Sequence, residues 1–96
     1  MVNYRLSKRA EKDLGNIAVY SIQNFGIRQA RLYRDGLFKA FEMISEFPLI
    51  GSDQSYIKKD IRRHVYESHS IYYRIDAKVF ILRILGPGED PLRHIK

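Results

Sequence analysis

Val2, Tyr4 and Leu6 alternate with Asn3 and Arg5, and a period of two predicts a short strand over residues 2–6. Ser7 follows as a helix N-cap, because its hydroxyl can accept a bond from an orphan N–H of the first turn. Apolar residues then recur at Ala10, Leu14, Ile17, Ala18, Ile22 and Phe25, the spacing of one helix face. Glu11 and Asp13 fall early in this helix, where carboxylates complement its dipole. Gly26 ends the stripe, and a second runs through Ala30, Tyr33, Leu37, Ala40, Phe41, Ile44 and Phe47 until Pro48 stops it. Two helices so closely joined fold back as an αα-hairpin. Gly36 lies inside the second helix, where glycine costs about 1 kcal/mol relative to alanine. Close approach of the first helix or a tolerated defect would account for it.

Residues 48–60 combine Pro, Gly, Ser and Asp and read as a loop. Three strands are predicted after it. Ile61, Arg63 and Val65 alternate with Arg62, His64 and Tyr66; Ile71, Tyr73 and Ile75 alternate with Ser70, Tyr72 and Arg74. The third, Val79–Leu85, is almost continuously apolar and is broken only by Arg83. Turns at Glu67-Ser68-His69 and Asp76-Ala77 are short enough to force an antiparallel meander. The apolar third strand belongs at the centre, with the N-terminal strand beside it. Gly86-Pro87-Gly88 breaks the pattern, and Asp90-Pro91 can cap and start a last helical turn. The expected fold class is α+β, in the order β-α-α-β-β-β, with a helical hairpin packed on one face of a small antiparallel sheet.

Length and composition narrow the chemistry. Ninety-six residues suit a single domain over 1–96, and 45% hydrophobic residues, with seven Tyr and five Phe, suit a packed core. The absence of cysteine excludes disulfides, thiolate zinc sites, iron–sulfur clusters and a cysteine nucleophile, and it agrees with a cytoplasmic setting. The N-terminus lacks the apolar region of a secretory signal, and no apolar run approaches the ~20 residues needed to span a membrane. The net charge of +6 favours partners that carry negative charge. His64, His69 and His94 lack metal-site spacing, so no metal and no other cofactor is expected, and no phosphate-binding loop or dinucleotide motif occurs.

Several local phrases, in this element order, resemble the ParE branch of the RelE/ParE toxin superfamily. They are Leu6-Ser7-Lys8-Arg9-Ala10-Glu11-Lys12-Asp13-Leu14, Phe25-Gly26, Phe47-Pro48-Leu49-Ile50-Gly51, His69-Ser70-Ile71-Tyr72-Tyr73-Arg74-Ile75 and Ile81-Leu82-Arg83-Ile84-Leu85. The resemblance spans nearly the whole chain. It implies a stable bacterial toxin paired with a labile ParD-like antitoxin, whose C-terminal segment wraps the toxin. The antitoxin's N-terminal domain binds operator DNA, so the toxin meets that DNA only indirectly. ParE-like members act on DNA gyrase, while RelE-like relatives cut messenger RNA on the ribosome. Both share the fold, so the fold does not choose between them.

A ribonuclease needs clustered cations and a general acid or base. Lys58, Lys59, Arg62 and Arg63 supply cations around one loop–strand boundary, and Arg83 and Arg93 add two more; all six are target-binding candidates. Solvated surface is the alternative for the first four. For Arg83 it is an internal salt bridge to a carboxylate such as Glu42, Glu46 or Asp76, because a guanidinium in an apolar strand needs a partner. Related toxins often place a histidine just after the last strand, where this chain has Gly86-Pro87-Gly88. His64, His69 or a tyrosine would then have to supply the acid or base. The favoured expectation is therefore a non-enzymatic toxin with no catalytic residues that inhibits gyrase; a ribosome-dependent messenger RNA interferase is the second. A third is a fold kept only as antitoxin-binding co-repressor. Tyr33 and Leu37 on the hairpin, and Tyr72 and Tyr73 on opposite faces of one strand, are the antitoxin-binding candidates, with one tyrosine packed inward and the other free.

Overall fold

The computed structural model describes residues 3–95, so Val2 of the first expected strand lies outside the described residues. The elements run β1 (Tyr4–Leu6), α1 (Lys8–Phe25), α2 (Ile27–Glu46), a 3-10 turn (Pro48–Ile50), β2 (Ser52–Asp53), β3 (Arg62–Tyr66), β4 (His69–Ile75), β5 (Val79–Leu85) and α3 (Pro91–His94). This is the expected α+β order, with a two-residue strand added inside the loop.

Ser7 caps α1: its Oγ accepts from the Ala10 N–H at 3.0 Å and donates to the Leu82 carbonyl at 2.7 Å, fixing the helix start against the sheet. Gly26 alone joins the two helices. Its φ of 86°, a value that disfavours side chains, lets its N–H close α1 on Ile22 while its carbonyl opens α2 to Ala30. Gly36 has a different purpose from close approach of α1. A Cβ there would collide with the hydroxyl of Tyr66, whose ring crosses α2 at that point.

The sheet order is β1-β5-β4-β3-β2. β5 lies between β1 and β4, as its apolar character predicts. The β2-β3-β4-β5 part is antiparallel, but β1 runs parallel to β5, so the sheet is mixed and not purely antiparallel. Short turns dictate direction only for strands adjacent in sequence. β1 and β5 are separated by the entire hairpin and meander, which frees their relative direction.

Leu37, Ala40, Phe41 and Ile44 of α2, with Ala10 of α1, pack on Ile71, Tyr73, Val79, Ile81 and Ile84 of the sheet. A β-bulge decides which β5 residues take part. Tyr72 pairs with Arg83 and Tyr73 with Ile81, leaving Leu82 as the extra residue. Strict alternation from Val79 and Ile81 would drive Arg83 into the core. The bulge puts Ile84 there instead and carries Arg83 to the margin. The other sheet face is partly covered by a smaller cluster of Ile61, Tyr72, Leu85 and Ile95, with Ile57 and Leu82 against it. The distal end of the hairpin has no sheet beneath it. Ile22 and Phe25, on the α1 stripe, are therefore exposed, together with Val19, Tyr20 and Ile27.

Candidate functional site

β1 is only three residues long, so the C-terminal half of β5 has no strand on that side. The side chains of Ser7, which caps α1, and of Asp13 within it complete the edge. Ser7 takes the Leu82 carbonyl, and Asp13 Oδ2 accepts the Ile84 N–H at 2.9 Å. Asp13 also receives Arg83, with Nε to Oδ2 at 2.9 Å and Nη2 to Oδ1 at 3.0 Å, while Arg83 Nη1 donates to the His94 carbonyl at 3.2 Å. The pair is bidentate, and its side chains are only 14% and 11% exposed. The hydrogen bonds that Arg83 donates to Asp13 raise its pKa further. The internal partner of Arg83 is thus Asp13 and not Glu42, Glu46 or Asp76. All three guanidinium nitrogens are engaged, so in this conformation Arg83 ties α1, β5 and the C-terminal turn together.

The other expected cations do not form one cluster. Arg62 lies on the helix side of the sheet, where Nε donates to the Gly51 carbonyl at 3.0 Å and Nη2 to the Leu49 carbonyl at 3.3 Å. Arg63 lies on the opposite face, with Nε on Ser70 Oγ at 2.9 Å. Lys58 and Lys59 are exposed in the loop before β3, and Arg93 is exposed on α3. One cavity of about 200 Å³ does gather Lys58, Arg83 and His94, and it adds Lys8 and Arg9 from the first turn of α1. The sequence pattern does not by itself mark Lys8 and Arg9 as site residues. The available signal was two cations at a helix N-terminus, where the dipole disfavours them.

Of the four hairpin and strand candidates, only Tyr33 reaches the surface. Leu37 and Tyr73 are fully buried in the main core, and Tyr72 is buried at 4% exposure beneath Ile61, Leu85 and Ile95. Tyr73 donates to the Pro48 carbonyl at 2.6 Å and accepts from the Gly51 N–H at 2.9 Å, which pins the 3-10 turn. The two tyrosines do face opposite ways, but the chain itself covers both. Tyr33 places its hydroxyl 2.6 Å from His69 Nδ1, and its ring packs edge-on to those of Tyr66 and His69. Burial pushes the His69 pKa down, against the pull of Glu89 and Asp13, and burial likewise lowers that of His64. Neutral His69 with a tyrosine hydroxyl on one ring nitrogen is the best placed acid–base group among the described residues. No group of three or more potential metal ligands occurs among them, and none of their helices is long and apolar enough to cross a membrane.

Residues 4–91 match the family described as the ParE toxin of the type II toxin–antitoxin system parDE. The chain belongs to the ParE toxin family. Toxin ParE1 of Caulobacter vibrioides is 37% identical over 95 residues, which is 99% of each chain. A solved structure described as the chromosomal ParDE TA system from P. aeruginosa has the same fold. It shares 19% identity and a TM-score of 0.77, over 90% of this chain and 96% of that one. The ParE phrases around Ser7 and Arg83 are thus those that form the Ser7–Leu82 and Asp13–Arg83 connections between helix and sheet.

Proposed function

We propose that this ParE-family chain is a bacterial cytoplasmic toxin that binds DNA gyrase and interferes with its cleavage–religation cycle, without catalysis of its own. The observation that carries this reading is the state of Arg83 and the turn after it. The arginine that a nuclease would aim at a phosphate is bonded to Asp13 and His94. The turn that follows is Gly86-Pro87-Gly88, with Glu89 accepting the Gly86 N–H at 2.8 Å. A ParD-like antitoxin holds the toxin inactive. Its acidic segment complements the +6 charge, and its apolar side chains cover the exposed hairpin end around Tyr20, Ile22 and Phe25. The test is a gyrase supercoiling assay with the purified chain. Inhibition at near-stoichiometric toxin supports the reading, and full supercoiling at large excess removes it.

The Tyr33–His69 pair favours a second reading, ribosome-dependent cleavage of messenger RNA, because it offers a positioned proton carrier. That reading predicts transcript cleavage on expression of the chain and its loss in His69→Gln. Intact transcripts in cells whose growth has stopped would rule it out.

A further inference from the structure

We propose that the cavity between the first turn of α1, the loop before β3 and the C-terminal turn seats a backbone phosphate of nucleic acid, so that the toxin touches DNA as well as gyrase. The choice of DNA rests on the gyrase reading; the phosphate site rests on the cavity itself. Lys8, Arg9, Lys58, Arg83 and His94 line it, with Leu82 and Ile95 as its apolar wall; Arg83 stays bonded to Asp13 and the His94 carbonyl, so Lys8 and Arg9 supply the phosphate donors. A neighbouring opening shares Arg9 and Arg83 and continues along α1 to Lys12 and Asn16. Two carboxylates lie close. Asp13 is bonded to Arg83, and Glu89 stands 3.9 Å from His94 Nε2. Lys8, Arg9 and Lys12 are exposed, and none of them takes part in an ion pair among the described residues.

This arrangement is only partly compensated within the chain. The N-terminal end of a helix carries partial positive charge and is stabilised by anions, yet α1 begins Lys8-Arg9 and has Lys12 one turn on. Glu11 in the first turn offsets part of this cost and Asp13 is committed to Arg83, so the charges of Lys8, Arg9 and Lys12 are left to an outside anion. Lys8, Lys12 and Asn16 are four residues apart, so they step along one side of α1 by about 6 Å each. A row of donors at regular intervals suits the repeating phosphates of a strand, and Arg9 beside it can take phosphate oxygens in bidentate fashion.

The test is binding of the purified chain to a short labelled DNA duplex, without gyrase, over a range of salt. The double variant Lys8→Glu with Arg9→Glu places acids where the α1 dipole favours them, so it folds at least as well as the parent. Loss of binding in it therefore reports the site. We expect a loss of about tenfold or more at low salt, and a salt slope shallower by about 2, one unit for each phosphate contact removed. The charge-matched control Arg28→Glu with Arg31→Glu, at the far end of the hairpin, should leave the slope unchanged. Equal binding by parent and Lys8/Arg9 variant overturns the proposal, as does an equal loss in the control, which would mean that net charge alone binds. Binding to a poly-glutamate peptide but not to nucleic acid also overturns it and assigns the cavity to an acidic protein segment. Binding to single-stranded RNA in preference to DNA overturns the choice of DNA and leaves the gyrase reading to the supercoiling assay, whereas DNA binding with unaffected supercoiling supports the site and removes the gyrase reading.

Discussion

Asp13→Ala should destabilise the chain by about 3–5 kcal/mol, the range for breaking a buried ion pair from one side. The carboxylate accepts from Arg83 twice and from the Ile84 N–H once. Alanine leaves a guanidinium that is 14% exposed with only the His94 carbonyl, and it orphans a buried backbone donor at the open margin of β5. The orphaned N–H alone costs about 1–3 kcal/mol, and because the three bonds share one carboxylate these losses do not add in full. Domains of this size have about 5–15 kcal/mol in all, so the variant keeps a folded state with little reserve. At about 4 °C per kcal/mol, the melting temperature should fall by roughly 12–20 °C. Urea unfolding followed by circular dichroism measures the difference. Asp13→Asn retains an acceptor for the Ile84 N–H and should lose less than Asp13→Ala. The double change Asp13→Leu with Arg83→Met removes both charges and should recover much of the loss, because apolar replacements of a buried pair are often near neutral. A loss under about 1 kcal/mol in Asp13→Ala would instead place the pair among solvent-screened surface bridges and contradict its role as a buried tie.

Ser7→Ala removes both the α1 cap and the bond to Leu82, and should cost about 1–2 kcal/mol by urea denaturation; an unchanged midpoint contradicts this. Gly15 has nothing within 4 Å of where its Cβ would stand, so Gly15→Ala should stabilise by about 1 kcal/mol; Gly36→Ala has the same propensity gain but meets the Tyr66 hydroxyl, and its melting temperature should rise less or fall. His69 is held below its unfolded pKa of about 6.5 by burial, so the unfolded chain binds the extra proton and stability falls as the solution is acidified. That contribution is present in full above about pH 6.5, declines below it and is gone once the folded pKa is passed. Between about pH 8 and pH 5, His69→Gln should therefore lose less melting temperature than the parent; an identical drop would exclude His69 as a contributor, His64 being the other group of the same sign.

The helices, their caps and the interior place of β5 are legible because each rests on local periodicity, apolar content or a short connection. The parallel direction of β1 is not, because no short turn ties it to β5. Asp13 does carry a signal in the sequence. It falls within the buried stripe that holds Ala10, Leu14 and Ile17, and a carboxylate there needs a cation, just as Arg83 in an apolar strand needs a carboxylate. The bulge at Leu82, which brings the two together, leaves no mark in the local pattern. Tyr72 illustrates the reverse limit. Period two gave its face correctly, but its cover comes from Ile61 and Ile95, distant in sequence, so its burial was not readable. Likewise, Ile22 and Phe25 keep the helical period yet lie beyond the reach of the sheet, since periodicity reports a face and not what covers it.

The proposed action on gyrase is tested by a cleavage assay with the purified chain and supercoiled plasmid, with and without its antitoxin. Linear DNA should accumulate with added toxin, preincubation with the antitoxin should abolish the effect, and omission of gyrase should leave the plasmid intact. Unchanged gyrase turnover and no linear DNA at large toxin excess, from a preparation that still binds its antitoxin, would contradict it.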